Sequence, residues 1–443
     1  MTTASEGAEL TQVGPGTPMG RLMRHYWLPA LLSTELERDG PPTRFMLLGE
    51  KLLAFRDSAG RVGVMDHRCP HRCASLFLGR NEQGGLRCIY HGWKFDVEGN
   101  CLDMPNVTED QDFKHKVKAK TYRTVERAGL VWVHMGEGEP ASMPGFEVLD
   151  LPPDEIVVHM MQRNCNWLQA LEGEIDTAHF GFLHGGHVDP KDVPETDPFY
   201  FTITNRAPQY RVADAPWGTQ YAGYRAAGPG QTYWRFANFL FPCWSQAPNG
   251  EFMSHMHARA WVPLDDGHTM FVFIFWKKAR SAQALPQPKY KDGTPIGGTG
   301  RGGIKMLPNT TEWLGRWRMA MDESNDWGMD REAQRSNRIY SGIDGIHLQD
   351  QAITESMGPI TDFGHEHLAP SDQMITRTRR RLLRAARALK ENGTLPPGVE
   401  DPGVYRAARS GYFISPDSDK SWQDVYAATL ESSVHPPARQ AAE

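Results

Sequence analysis

Two short loops, Cys69-Pro-His71 and Cys88-Ile-Tyr-His91, lie sixteen residues apart, and each offers one thiolate and one imidazole. A single zinc ion usually takes its cysteines as one pair and its histidines as another. Mixed loops suit a [2Fe–2S] cluster in which two Cys hold one iron and two His hold the other, because each loop then touches both irons. Pro70 stiffens the first loop. Gly92 lets backbone N–H groups approach the cluster sulfurs, where hydrogen bonds raise the reduction potential. A mixed-ligand zinc ribbon is the competing expectation. Cys73 is near enough to be a rival ligand, but it would leave His71 without a role.

A second constellation runs from Glu172 to His184 and contains Asp176, His179 and Gly181. On a continuous helix Glu172, Asp176 and His179 share a face. His184 then lies about 140° round from His179. The two imidazoles converge only where the helix widens or ends between them, which Gly181 permits. Two His and one carboxylate with open positions make the facial triad of non-haem Fe(II) sites. An ordinary buried polar helix face is the plainer alternative. Spacing does not choose the carboxylate: Asp330, Asp344, Asp350 and Glu355 are all available.

The elements that must position these groups can be outlined. Residues 1–42 read as a helical and extended entry that packs on the later domain, with a short helix within 18–31. Residues 43–140 are strand-rich and punctuated by turns such as DSAG and DVEGN, so both metal loops fall at strand ends. A linker occupies 141–155. A second domain, 156–430, begins extended, turns helical, and returns to strands over 200–276, YFTITNR among them. The Gly/Pro-rich stretch 280–303 reads as a lid or arm, the chain is mostly helical from there to about 390, and 431–443 reads as a loose tail.

Composition narrows the class. With 443 residues, 40% hydrophobic, and a net charge of −6, the chain reads as a globular protein with no nucleic-acid or membrane partner. Six cysteines without a paired framework, and no signal-peptide pattern at the N-terminus, point to a cytoplasmic protein with reduced thiols. The basic stretch from Arg377 to Arg387 reads as a solvated helix face, with docking of an acidic redox partner as the alternative. Gly297-Gly298-x-Gly300 lacks the strand–turn–helix context of a dinucleotide fingerprint, so NAD(P)H must act through a separate reductase.

Together the motifs resemble the Rieske non-haem iron oxygenases, specifically the oxygenase (α) component, and within them the phthalate 4,5-dioxygenase group. The likeness is carried by residues 18–29, 60–73, 79–100, 164–184 and 345–360. It implies an α+β protein: an N-terminal all-β Rieske domain, then a helix-grip domain with an antiparallel sheet around a long helix. It also implies cluster ligands Cys69, His71, Cys88 and His91, and iron ligands His179, His184 and Asp350, the last following Gln349 in a Gln/Glu-Asp pair. It implies a homotrimer or stacked trimers in which Asp176 bridges His179 and the Rieske histidine of a neighbour, His91. Two departures are Gly173, where many relatives have Asn, and Phe363, where some have Arg.

The same resemblance implies the activity. Electrons from NAD(P)H, passed by a flavin/iron-sulfur reductase, and O₂ would hydroxylate a carboxylated aromatic. Ring cis-dihydroxylation is expected first, and monooxygenation or O-demethylation of a methoxylated acid second. A pure electron carrier would need only about the first third of the chain. The substrate carboxylate needs a cationic partner, and Arg225, Arg235 and Arg259 in the strand region are the candidates. Arg225 is favoured because an Arg recurs near this position in phthalate-type relatives.

Overall fold

The computed structural model describes residues 2–278, Lys291 and 303–436. The expected lid or arm at 280–303, apart from Lys291 and Gly303, and the end of the expected tail, 437–443, lie outside the described residues.

The N-terminal half is built on two antiparallel sheets. One orders its strands Trp27–Leu32, Leu130–His134, Thr121–Arg127, Val62–Asp66, Glu50–Arg56 and Thr43–Leu47. Its first strand lies upstream of residue 43, so the entry segment is part of this sheet as well as a lead into it. The other is a small sheet of Arg80–Glu82, Gly85–Arg87, Lys94–Phe95 and Cys101–Asp103. Leu53, Phe55, Met65, Leu76, Leu86 and Phe95 fill the space behind the two metal loops. Burying such side chains stabilises the fold by about 2 kcal/mol each.

The C-terminal half is one antiparallel sheet. Its order is Ile156–Arg163, Thr269–Trp276, His257–Pro263, Trp244–Gln246, Gln231–Leu240, Gly218–Ala226 and Gln209–Ala215. The strand Gly411–Pro416 pairs with residues 231–236, beyond the end of the short strand Trp244–Gln246. The helices Trp167–Ile175 and Gln373–Asn392 pack against this sheet, and Ile346–Ser356 packs against the first of them. Gly393, at φ 73°, supplies the left-handed residue that ends Gln373–Asn392. None of the described helices is long and apolar enough to cross a membrane.

Two expectations are corrected and a third is refined. YFTITNR is not a strand: Pro198–Thr204 is a helix, because the Asp197 side chain caps it and Pro198 stands in its first turn. Residues 303–345 are mostly irregular rather than helical, with one five-residue helix at Arg331–Arg335. The basic stretch is the expected solvated face at Arg377, Arg380 and Arg384, which are exposed, but not at Arg379. Arg379 is 3% exposed and held by Glu172 and Glu366, Arg377 and Arg384 bind Asp214, and Arg387 binds Glu9. These charges tie the helix to its own chain.

Candidate metal centres and substrate cavity

The two metal loops share one hydrogen-bond pattern. The N–H groups of Cys69 and Cys88 donate to the carbonyls of Ala74 and Trp93, each at 2.8 Å. Cys73 and Gly92 donate back to the carbonyls of Cys69 and Cys88 at 2.8 and 3.0 Å. Cys73 and Gly92 also occupy the same left-handed place, at φ 60° and 82°. Cys73 is therefore the turn residue of its loop, exposed to solvent, and not a rival ligand. Cys69 and Cys88 are 1% and 3% exposed, while the His71 and His91 rings sit at the rim, 4.4 Å apart. Trp93 stacks on His71 at 4.4 Å.

These four residues fit a Rieske cluster. The buried His91 Nδ1 has no protein partner. Burial pushes the Cys69 thiol up to about 12, so a bound cation is what makes this thiolate available at neutral pH. Ligands of one tetrahedral zinc would crowd within about 4 Å of each other. Among the described residues, three such donor atoms lie within 4.8 Å of one another at a different place, formed by His179, His184 and Asp350.

That second place arises where a helix stops. Trp167–Ile175 ends at Asp176, which is extended at φ −91° and ψ 117°. Asp176 accepts a 2.7 Å bond from the Ala178 N–H, a local turn that competes with helix continuation. The expectation that Glu172, Asp176 and His179 share one helical face is thereby corrected, and Glu172 is turned into Arg379. A short 3₁₀ turn, His179–Gly181, carries the chain round to His184. Gly181 does not unwind the helix. Its φ is ordinary, and its missing side chain leaves room for Arg206, whose Cγ would stand 3.1 Å from an added Cβ.

His179 Nε2 and His184 Nε2 are 3.2 Å apart, and Asp350 Oδ1 is 3.1 Å from the latter and 3.7 Å from the former. Ligands bound at about 2.1 Å and at right angles are separated by roughly 3 Å. Hydrogen bonding fixes where the protons are. Gln349 Nε2 donates to the Ile343 carbonyl at 2.7 Å, so its Oε1 faces His184 Nδ1, 2.6 Å away, and can only accept. His179 Nδ1 faces the Asp176 carboxylate at 3.3 Å. Both Nδ1 atoms therefore carry hydrogen, and both Nε2 lone pairs face the Asp350 oxygen. Three acceptors converge with no proton between them, which is the arrangement a cation satisfies. Burial would raise the Asp350 carboxyl, but His184 and His179 outweigh it and hold it well below the usual carboxylate range. Asp330 caps Arg331–Arg335, and Glu355 bonds Asn164, Trp327 and Gln351, so neither joins the triad.

The sheet supplies the opposite wall. Directly paired residues, and alternate residues along a strand, project from one face. Arg225 pairs with Tyr233, whose strand continues through Arg235 to Phe239; Phe239 pairs with Ser245, Ser245 with Arg259, and Arg259 with Phe273. Arg225, Arg235, His257, Arg259 and Phe273 thus share the face that meets the segment 174–177. There Arg235 Nε donates to Thr177 Oγ1 at 2.9 Å, and Arg259 Nη1 binds Glu174. All three arginines are buried. Arg225 donates from Nε to the Asn205 carbonyl at 2.6 Å, while its buried Nη1 has no partner. Burial and neighbouring Arg235 bring Arg225 down to about 10. A cavity of about 330 Å³ opens beside the triad, bounded by Glu174 and Trp261 on the sheet side and by Ile353 and Met357 outside. A larger groove of about 1490 Å³ beside Thr121–Arg127 lies away from the triad and is lined by none of its residues.

Sequence reasoning missed Glu174, Thr177 and, at Gln349, the bond to His184. Each sits within two residues of a singled-out ligand or bridge, but what it binds lies on another element. The two departures are structural. Phe363 lies under the Arg379 guanidinium at 4.8 Å and against Gly7. Gly173 packs on Thr354, 3.4 Å from an added Cβ.

Two buried histidines give a pH prediction. Burial, helped by Arg259, lowers His255 to about 3, and burial with His255 puts His257 well below its ordinary value. Unfolded histidine takes up a proton near pH 6.5, and the folded chain refuses it. Stability is therefore full above about pH 6.5 and falls as pH drops toward 3, by about 1.4 kcal/mol per pH unit for each such group. Urea titrations of the protein and of His255→Gln between pH 7.5 and 5 measure this. The variant is expected to show the shallower slope, and equal slopes would refute the assignment.

Two family models together cover most of the chain. Residues 26–123 match the Rieske [2Fe-2S] domain, and 133–441 match the LigXa C-terminal domain like family. The chain is 52% identical over 435 residues to the 3-chlorobenzoate-3,4-dioxygenase oxygenase subunit of Comamonas testosteroni, covering 98% of this chain and 100% of that one. It is 34% identical over 440 residues to the phthalate 4,5-dioxygenase oxygenase subunit of Pseudomonas putida, covering 96% and 95%. The fold is shared with dicamba monooxygenase bound to dicamba, at TM-score 0.53 and 17% identity over 83% of this chain and 98% of that one. With a Rieske domain, a matching catalytic domain and relatives aligned end to end, the chain belongs to the Rieske-type aromatic ring-hydroxylating oxygenases, as an oxygenase component carrying a [2Fe–2S] cluster and a mononuclear iron.

Proposed function

We propose that this chain hydroxylates a benzoate-type aromatic carboxylate. The carrying observation is the pair Arg225 and Arg235, 3% and 6% exposed, on the sheet face that meets the triad segment, with no ion-pair partner among the described residues. A buried cation without an anion is costly. A substrate carboxylate resolves that cost, and two guanidinium forks orient it. Tyr233, which receives a 3.3 Å bond from Arg235, and Phe180, 5.0 Å beneath its guanidinium, hold that arginine in place.

Cys69, His71, Cys88 and His91 hold the cluster, and His179, His184 and Asp350 hold the iron. Together the two centres supply stored electrons and an O₂-binding position with open coordination. Asp176 keeps the Nδ1 proton of His179 in place and is itself partly exposed. The exposed Ile89 and Tyr90 beside the cluster, and Ile353 and Met357 beside the triad, are apolar surfaces suited to meeting a second copy. This supports a trimeric ring in which Asp176 contacts His91 of the partner subunit. Electrons come from NAD(P)H through a separate reductase. A cytoplasmic location fits six unpaired cysteines.

Arg225→Ala is expected to raise KM for a benzoate on the order of 10²-fold, because the partner of a buried charge is lost. An unchanged KM would refute the carboxylate subsite. Cis-dihydroxylation is the first outcome. The relative 5,5'-dehydrodivanillate O-demethylase, 29% identical, keeps demethylation as the second. Labelled O₂ separates them: two labelled atoms in a diol, against one atom and released formaldehyde.

A further inference from the structure

The core behind the two metal loops has one member from far along the chain. Every other side chain of that cluster lies between Leu53 and Ala119, and the exception is Trp313. It reaches the Rieske domain on a finger of the catalytic domain. Met306 bridges Met319 in the stem, where the Ala320 N–H donates to the Lys305 carbonyl and the Leu307 N–H to the Arg318 carbonyl, each at 2.9 Å. The Thr310 N–H donates to the Gly315 carbonyl at 2.9 Å and closes the tip around Trp313. Glycine is required at 315, because an added Cβ would stand 2.2 Å from Thr310 Oγ1 and 2.9 Å from the Thr310 carbonyl oxygen.

The finger is anchored behind its tip. Arg316, 4% exposed, holds both oxygens of Glu35 at 2.7 and 2.6 Å, and the Trp317 carbonyl accepts from the Gln162 N–H at 2.7 Å. Farther on, the Met321 carbonyl accepts from Gln351 at 3.3 Å and Trp327 Nε1 donates to Glu355 at 2.8 Å, both on the helix that carries Asp350. At the tip, the indole meets the His67 ring edge-on at 5.1 Å, with Arg44 and Lys51 over it at 5.3 and 5.4 Å. Arg44 also donates to the Thr311 carbonyl at 3.2 Å. His67 forms the base of the first metal loop. Its carbonyl accepts from the Leu76 N–H at 2.7 Å, and Arg68 pairs with Ser75 just inside.

We propose that Trp313 is a positioning residue for the Rieske cluster, through which the catalytic domain sets the reduction potential of the cluster in its own chain. It acts through His67: the indole clamps the base of the loop that carries Cys69 and His71. A clamped loop keeps its backbone N–H groups turned toward the cluster sulfurs, and such hydrogen bonds raise the potential. Removing the clamp loosens the loop, weakens those bonds and lowers the potential.

The test uses the holoenzyme and the variants Trp313→Ala, Trp313→Phe, Gly315→Ala and Val97→Ala. Val97 belongs to the same core cluster and serves as the control for loosened packing. Each protein is melted, and its cluster is titrated against redox dyes by its visible bands. Trp313→Ala is expected to lower the reduced-to-oxidised ratio at a given potential by about tenfold, a negative shift of about 59 mV for a one-electron couple. Trp313→Phe keeps an aromatic edge on His67 and restores most of the shift. Gly315→Ala displaces the tip while leaving the indole in the chain, so it shifts the potential in the same direction, and it decides the matter if Trp313→Ala fails to fold. Val97→Ala is expected to melt earlier with its potential unchanged. An unshifted potential in Trp313→Ala or Gly315→Ala, a phenylalanine variant no better than alanine, or an equal shift in Val97→Ala would overturn the positioning role.

Discussion

Asp176→Asn is expected to keep both metal centres loaded and to lower turnover by two orders of magnitude or more. The carboxylate has two tasks that an amide performs badly. It accepts from His179 Nδ1 at 3.3 Å and from the Ala178 N–H at 2.7 Å, which fixes the turn that replaces the helix. Asparagine preserves the turn, because its oxygen still accepts from Ala178, so iron binding survives. What is lost is negative charge beside the imidazole and the hydrogen-bonded contact proposed toward the cluster of the next subunit. Partners of metal-bound histidines typically cost 10–100-fold when altered, and interruption of the electron route adds to that. The measurement is rapid mixing of reduced enzyme with O₂ and substrate, following cluster oxidation by its colour. Slow reoxidation with a full iron complement is the expected result. Near-normal turnover would refute the bridging role.

Asp350→Ala is expected to abolish activity by a different route. Asp350 is the one anionic donor of the triad, and without it two neutral imidazoles 3.2 Å apart must bind the ion alone. Iron content should fall from about three atoms per chain to about two, the cluster's share. The visible spectrum of the cluster should be unchanged, because its ligands sit in loops Cys69–Cys73 and Cys88–Gly92 on other sheets. A variant that still holds about three irons would show that another carboxylate serves, and Glu355 would be the first to examine. Asp176→Asn thus separates electron delivery from metal binding, and Asp350→Ala separates the mononuclear site from the cluster.

The parts of the fold legible in the sequence were those with short-range causes. The strand-rich first half, the helix within 18–31 and the strands over 218–276 follow from periodicity and turn residues. The helix at 198–204 was misread because Phe, Tyr, Ile and Thr favour strands, while its cap, Asp197, lies just outside the run. The break at Asp176 was misread because a helix face predicts the same neighbours as long as the helix continues. An aspartate that bonds its own backbone two residues on ends it instead. The basic run was read as a solvated face, but the burial of Arg379 was not legible because the anionic partners are far away in the chain: Asp214 is 163 residues from Arg377, and Glu172 is 207 residues from Arg379.

The sequence by itself determined the chemistry of the two centres. Cluster ligands come two to a short loop, and His179 and His184 lie on one turn, so residue type and local spacing carry the information. Tertiary structure decided everything that depends on distant segments meeting. It brings Asp350 to the histidines and leaves Asp330 and Glu355 elsewhere. It sets Gln349 on His184 across 165 residues, fixing which nitrogen is free. It gathers three arginines from three strands onto one face and then distinguishes them, because Glu174 reaches Arg259 across 85 residues and no carboxylate among the described residues reaches Arg225 or Arg235. A sequence records which charges are present. Which of them are already spent on each other depends on pairing across the sheet, and that pairing is what shapes the cavity.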